Sequence, residues 1–294
     1  MANILNFGSF CIDNVYKVPH FVLPGETLPC HDYQVHPGGK GLNQSLALAK
    51  AGAQVAHAGK VGEDGRWLKD LLEQAGVDVS RVQVVDSPSG HALIQVNQAG
   101  ENAIVLFGGA NRQIELEDIE PAMSGLNKGD FLLLQNEISH LTEIMQTAAE
   151  REVRIVFNAA PITDAVHSYP LDLIDTFILN EVEAEDISGE SDSHKVVDKL
   201  LTEFPNSRIV LTLGEGGALF ADSDQRITQP AYKVSPVDTT GAGDTFTGYF
   251  LAGYSAGHPV EQCLDSASRA AAICVTREGA ATSIPSSDEV ASFQ

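Results

Sequence analysis

Residues 130–158 read DFLLLQNEISHLTEIMQTAAEREVRIVFN. Positions 131–134 form an apolar run of strand length, 141–150 place apolar residues at helical spacing, and 154–157 are apolar again. A strand, a helix and a second strand in so short a span make a βαβ unit, whose helix returns the chain so that the two strands lie parallel. The same alternation runs outward in both directions, through 3–8, 41–51, 55–61 and 66–76 on one side and 176–179, 193–204 and 208–213 on the other. In 66–76 the apolar positions Trp67, Leu68, Leu71, Leu72 and Ala75 close on Gly76, a common C-terminal stop. The pattern predicts one α/β domain over residues 1–294, with a mostly parallel central sheet flanked by helices.

Two regions break the rhythm. Residues 15–35 and 91–107 read as β-rich, the second as HALIQVN and ENAIVLF around the turn QAG. Strands from about 14–36 and 90–108 then form a small β-sheet standing off the main domain. Two readings of that sheet are open, a lid over an active site and a packed peripheral hairpin. An exposed apolar ribbon also needs a partner for its edge or face, so a homodimer through these strands is expected. The sequence contains no internal repeat and no interdomain linker.

Composition narrows the function. Hydrophobic residues make up 43% and charged residues 20% of 294, as in ordinary globular proteins. A net charge of −22 argues against nucleic acid and anionic lipid as partners, because both are bound through Lys and Arg. Cys11, Cys30, Cys263 and Cys274 include no CxxC pair, which favours free thiols over disulfides or a zinc site. The start MANILNFGSF has no signal-peptide pattern, and no apolar run approaches membrane-spanning length, so the expected location is cytoplasmic.

Chemistry-bearing residues concentrate in a few turns. The run PVDTTGAGDTF at 236–246 leads into the apolar stretch 247–253. Small residues at a helix start leave Gly241, Ala242 and Gly243 with bare N–H groups, an anion site, and Asp244 in the same turn is stabilised by the helix dipole and placed to accept a hydroxyl proton. From spacing alone a tight loop completed by Asp244 reads equally well. The run HPGGKGLNQ at 36–44 lets backbone approach a polyol, and Asn43 offers a donor and an acceptor, although an ordinary polar helix position fits it too. Asp13 and Glu137 fall at strand C-terminal ends, where open α/β sheets place ligands; taken singly, each also reads as a surface acid. Asn180 and Glu183 fit a helix capping box, and TLGEGG at 212–217 fits a β-turn. No GxxxxGK[ST] occurs, so a P-loop and its lysine are excluded, and bound cations with the anion site must neutralise any nucleotide.

The two glycine-rich motifs, DTTGAGDTF at 238–246 and GGKGLNQ at 38–44, stand in the right order to resemble the signatures of the ribokinase family of carbohydrate kinases, a resemblance that extends from Gly8 to Ser283. It implies a ribokinase-like fold with a lid, and ATP-dependent transfer of the γ-phosphoryl group to a sugar hydroxymethyl oxygen, D-ribose to ribose 5-phosphate being the nearest match. It makes Asp244 the base and Gly241, Ala242 and Gly243 the anion hole. It assigns the sugar to Asp13, Gly39, Lys40, Asn43, Glu137 and Asp244. ATP falls to Asn180, Thr212, Gly214, Gly217, Gly241, Gly243 and Ser268. Asn180 and Glu183 would organise Mg²⁺ through water, and K⁺ would take Asp238, Thr240, Cys274, Arg277, Gly279 and Ser283.

Three positions depart from the family pattern: Cys11 replaces an Asn that binds ribose, Ser268 replaces an Asn or His near adenine, and FNAAP at 157–161 replaces NPAP. Fructokinase, deoxyribokinase, phosphosugar kinase and nucleoside kinase therefore remain alternatives, as does a catalytically silent sugar-binding regulator.

Overall fold

A computed structural model describes residues 3–293. The chain runs β1 (Ile4–Phe7), β2 (Cys11–Lys17), β3 (Asp32–Gly38), α1 (Lys40–Lys50), β4 (Val55–Gly62), α2 (Arg66–Gln74), β5 (Asp78–Val85), β6 (His91–Val96) and β7 (Asn102–Phe107). It continues through α3 (Leu116–Ala122), β8 (Phe131–Gln135), α4 (Leu141–Glu150), β9 (Arg154–Asn158), β10 (Thr176–Asn180), α5 (Glu181–Ser188), α6 (Ser193–Glu203) and β11 (Arg208–Thr212). β12 (Ala218–Ala221), β13 (Arg226–Gln229), α7 (Ala242–Ser255), α8 (Val260–Cys274) and α9 (Ser287–Ser292) complete it.

Nine strands form the central sheet in the order β13-β12-β11-β10-β9-β8-β1-β4-β5. β5 to β11 in that order pair parallel, and β12 and β13 add an antiparallel edge. Alternation along the strands feeds two cores. Ile4, Phe131, Leu133, Val156, Ile178 and Val210 pack on one face against α1, α2, α7 and α8. Leu5, Phe7, Leu132, Leu134, Ile155, Phe157 and Phe177 pack on the other against α3, α4, α5 and α6. Both faces being covered, the parallel strands read as unbroken apolar runs.

Strand order reverses at β1, which lies between β4 and β8. Such a switch point opens a crevice beyond the C-terminal strand ends, where α/β proteins bind ligands.

The β-rich regions form a separate four-stranded sheet, in the order β3-β2-β6-β7, with β2 parallel to β6 and both outer pairings antiparallel. Its strands begin at Cys11 and end at Phe107, and residues 18–31 make a long connection rather than continuous strand. The chain crosses between the two sheets four times, after β1, between β3 and α1, between β5 and β6, and after β7. Among the described residues no helix is long and apolar enough to cross a membrane, and all four cysteines are free thiols.

Candidate active site

Two of the three carboxylates that the resemblance assigns to the sugar, Asp13 and Glu137, stand near the start of α1. Asp13 is on β2, opposite His36 of β3, and its carboxylate occupies the space above Gly38, where a Cβ would lie 2.1 Å from Oδ2. Gly39 follows at φ 93°, and a Cβ there would lie 2.8 Å from the backbone nitrogen of Cys11, so a side chain would be both strained and blocked. This closeness brings the start of α1 onto the β1–β2 connection. There Glu137 accepts from the backbone N–H of Lys40 at 3.0 Å and from the Ser9 hydroxyl.

Burial pushes the carboxyls of Asp13 and Glu137 above their ordinary range; the charge of Glu137 adds to the rise at Asp13 and that of Asp244 to the rise at Glu137, while Lys40 pulls Glu137 back. Burial draws Lys40 down, but Asp244, Glu137 and Glu183 around it more than compensate and hold its ammonium above its usual value. Burial, then the charge of Asp13, push the Cys11 thiol up, so it faces the site as a neutral thiol.

Asp244 occupies the first turn of α7, 7% exposed. Asn43 Nδ2 donates to its Oδ2 at 2.9 Å and Gln44 Nε2 to its Oδ1 at 2.8 Å. Asn43 Oδ1 is buried without a partner, the state expected of an acceptor reserved for a ligand hydroxyl. Gly241 caps α7 in the left-handed region at φ 77°. Of the three small residues, Gly241 and Gly243 line the cavity in front of Asp244, whereas the Ala242 N–H reaches back to the Thr239 carbonyl at 3.3 Å.

That cavity, about 230 Å³, is also lined by Lys40, Asn158, Asn180, Glu183, Thr212, Thr239 and Thr247. Lys40 thus brings an ammonium into the same space as the bare N–H groups, although no P-loop is present. Asn180 ends β10 and caps α5: its Oδ1 accepts from Glu183 N at 2.9 Å, and Glu183 Oε2 accepts from Asn180 N at 3.0 Å. Burial pushes the Glu183 carboxyl up against the effect of these bonds. Thr212 pairs with Asn180 across β10 and β11. Gly214 and Gly217 form the turn into β12, and Ser268 is buried on α8; none of these three lines the cavity.

Asp238 is tied into the adjoining loop. Its Oδ1 accepts from the N–H and hydroxyl of Thr240 at 2.9 and 2.6 Å, and its Oδ2 from Gly279 N–H at 2.9 Å. Burial would raise this carboxyl, but the bonds hold it below its ordinary range. Cys274 Sγ lies 3.0 Å from the Ser283 hydroxyl, which donates to the Ala280 carbonyl, and Arg277 pairs with Glu289. Carboxylate, hydroxyl and carbonyl oxygens of this kind suit a hard monovalent cation. Among the described residues no three His, Cys, Asp or Glu side chains are arranged to hold a metal ion by themselves, so a divalent ion would depend on water and phosphate oxygens as well. A larger cleft of about 540 Å³ lies between α1, α7, α8 and α9, and none of the predicted site residues lines it.

The GGKGLNQ and DTTGAGDTF motifs thus meet at one crevice through the contacts of Asn43 and Gln44 with Asp244, with Asn180 and Thr212 lining the same cavity as Asp244. Ser9, Asn158, Thr239 and Gln44 belong to it without having been singled out; Gln44 was within reach, since it follows Asn43 directly in the glycine-rich motif.

A crevice at a switch point, with a buried carboxylate beside bare helix-start N–H groups, is the framework of a phosphotransferase acting on an alcohol. The model of the pfkB carbohydrate kinases matches residues 1–287, and the chain belongs to that family. A ribokinase of Haemophilus influenzae is 35% identical over 295 residues, covering 97% of this chain and 96% of its own. A deoxyribokinase of Salmonella typhi is 32% identical over 297 residues, covering 98% and 97%. Among solved structures, Arabidopsis thaliana ribokinase complexed with ribose and ATP superposes with a TM-score of 0.86 at 27% identity, covering 99% of this chain and 98% of that one.

Burial makes a stability prediction at Asp13. Because its carboxyl is raised in the folded protein, the folded state holds the proton more tightly, and stability falls as pH rises from the ordinary carboxylate range through the raised value. Asp13→Asn should therefore melt higher than the parent at pH 8, with the gain shrinking toward pH 4, while sugar affinity drops. Thermal unfolding across that range checks it, and a constant difference at every pH would refute it.

Proposed function

We propose that this chain transfers the γ-phosphoryl group of ATP to the hydroxymethyl oxygen of a pentose, with D-ribose as the first candidate and Asp244 as the base. The observation that carries the reading is the position of Asp244, whose carboxylate is buried between the polyol-facing cluster of Asp13, Asn43 and Glu137 and the cavity bounded by Gly241 and Gly243. The hydroxyl proton passes to Asp244, the freed oxygen forms a bond to the γ-phosphorus, and the bond from that phosphorus to the β,γ-bridging oxygen breaks, releasing ADP.

Asp13, Gly39, Asn43 and Glu137 hold sugar hydroxyls in this scheme. Lys40 and the N–H groups of Gly241, Ala242 and Gly243 offset the charge of the transferring group, Ala242 by giving up its weak bond to Thr239. Thr212, Gly214, Gly217 and Ser268 border the nucleotide. Mg²⁺ would be organised by Asn180 and Glu183 and would neutralise phosphate charge. K⁺ would be held by the Asp238 carboxylate, the Ser283 hydroxyl and the carbonyls of Thr240, Cys274, Arg277 and Gly279, keeping the start of α7 in order. The small sheet is the lid over the sugar.

One observation favours a second reading. Cys11 meets Asp13 with a neutral thiol, a weaker hydrogen-bonding group than the Asn of ribose-binding relatives, and this favours a sugar lacking one hydroxyl, such as 2-deoxyribose.

The lid also supplies a docking surface. Ile104, Val105, Leu106 and Phe107 of the edge strand β7 are all at least half exposed, and successive residues of a strand point to opposite faces, so both faces are apolar. We infer a homodimer that covers this strand.

Three measurements test these proposals. Asp244→Asn should lower turnover by roughly 10²–10⁴-fold, read as ATP-dependent ADP formation over a panel of ribose, 2-deoxyribose, fructose, phosphosugars and nucleosides; wild-type rates in that variant would remove Asp244 as base. Replacing K⁺ with a large organic cation should slow the reaction severalfold, and an unchanged rate would remove the cation site. Light scattering at micromolar concentration should return the dimer mass, with Val105→Lys shifting it toward monomer; a monodisperse parent monomer would overturn the docking surface.

A further inference from the structure

Gln44 has no part in the scheme above, yet every polar hydrogen and its oxygen are committed. Its Nε2 donates to Asp244 Oδ1 at 2.8 Å and to Asn158 Oδ1 at 3.0 Å, and its Oε1 accepts from Gln135 Nε2 at 2.7 Å. Those partners fix the sense of the amide. Turned over, it would set its oxygen against two oxygens and its NH₂ against the NH₂ of Gln135.

Gln135 is held in turn. Its Nε2 also donates to Asn6 Oδ1 at 3.0 Å, and Asn6 Nδ2 donates to the Gly41 carbonyl at 2.7 Å and to Ser45 Oγ at 2.8 Å. Ser45 Oγ lies 2.8 Å from His57 Nδ1, and His57 Nε2 lies 3.3 Å from the Gly8 carbonyl. Burial drives the His57 ring down to about 3, so it is neutral; Nε2–H donates to Gly8, and Nδ1 accepts from the Ser45 hydroxyl. At the other end Asn158 Nδ2 donates to the Ile178 carbonyl at 2.9 Å. The network is therefore pinned to backbone carbonyls in the β1–β2 connection, in α1 and in β10, and among the described residues the carboxylate it reaches is that of Asp244.

Gln44 is 0% exposed and does not line the cavity in front of Asp244. We propose that it is a positioning residue for phosphoryl transfer: its N–H of fixed sense on Oδ1, together with Asn43 Nδ2 on Oδ2, sets the rotation of the Asp244 carboxylate and so aims the remaining lone pairs, beside the orphaned Asn43 Oδ1, at the substrate hydroxyl. This rests on Asp244 acting as the base. The other charged groups facing Asp244 are Lys40 of α1, Glu137 beyond β8 and Glu183 of α5, and substitution of Gln44 alters none of them.

The test measures kcat, sugar KM and the pH profile of kcat/KM for Gln44→Leu, Gln44→Glu and Asp244→Asn. Losing an N–H bond to the ionised carboxylate disfavours that form, so in Gln44→Leu the acid limb should move up by about one pH unit. Its kcat should fall on the order of a hundredfold through misorientation, with sugar KM little changed. Gln44→Glu keeps the acceptor for Gln135 and creates no cavity, but sets a second carboxyl against Asp244; its acid limb should move further in the same direction. Should Gln44→Leu not fold, Gln44→Glu decides on the same readouts. The inference is overturned if Asp244→Asn is inactive while the Gln44 variants keep parental kcat and acid limb. If Asp244→Asn itself retains turnover, the reading of Asp244 falls first, and the role of Gln44 with it.

Discussion

The contact between Asp244 and the paired amides of Asn43 and Gln44 joins residues about two hundred positions apart in the chain, and the site is organised around it. On one side lies α1, whose start is pressed onto the β1–β2 connection because Gly38, Gly39 and Gly41 leave no side chain between. On the other lies α7, whose packing against α1 and α8 fills one of the two cores. A displacement of either helix would separate Asp244 from Asn43 and Gln44. The apolar packing of the sheet's α1–α7 face thereby becomes a condition for the chemistry at its edge.

Gathering three carboxylates in a crevice works against stability. Asp13, Glu137 and Glu183 are all pushed up by burial, and the ammonium of Lys40 offsets that cost for the two nearest it. An apolar crevice would fold more favourably and bind no polyol. Such strain concentrated at one place, in a molecule whose remaining ionisable groups lie mostly at the surface, is itself a mark of function.

Much of this was legible in the sequence because parallel strands buried on both faces leave continuous apolar runs. The helix at Leu141–Glu150 falls on the residues its period predicts, and the strands at 131–135 and 154–158 fall within a residue of theirs. The edge strands β5 and β13 are unevenly buried and show no clean period, and β12, though buried throughout, is only 4 residues long, too short for its run to stand out. The small sheet was legible as β-rich, but its first strand starts at Cys11 because pairing with Gly38 extends it beyond the apolar stretch. Motif residues located the crevice, whereas the internal amide network did not announce itself: Asn6, Gln44, Gln135 and Asn158 are scattered through apolar elements and acquire meaning only when the fold brings their hydrogen bonds together. Gly214, Gly217 and Ser268 stand outside the cavity lined by Lys40, Asn180, Glu183, Thr212 and Asp244, so the motif reading of those three gains no support from that cavity.

The four chain crossings between the sheets carry a mechanical consequence. A flap on one or two strands can twist and slide as well as swing. A flap sewn on by four strands, packed closely through Gly8, Gly39, Gly90 and Gly109, has its shear and torsion opposed by neighbouring backbones, and only bending in common along the seam remains soft. The seam runs beside Ser9, Gly39 and Glu137, so it passes along the crevice rather than lying at a distance from it. A rotation about such a seam would carry the far end of β7 through the longest arc and the crevice floor through the shortest.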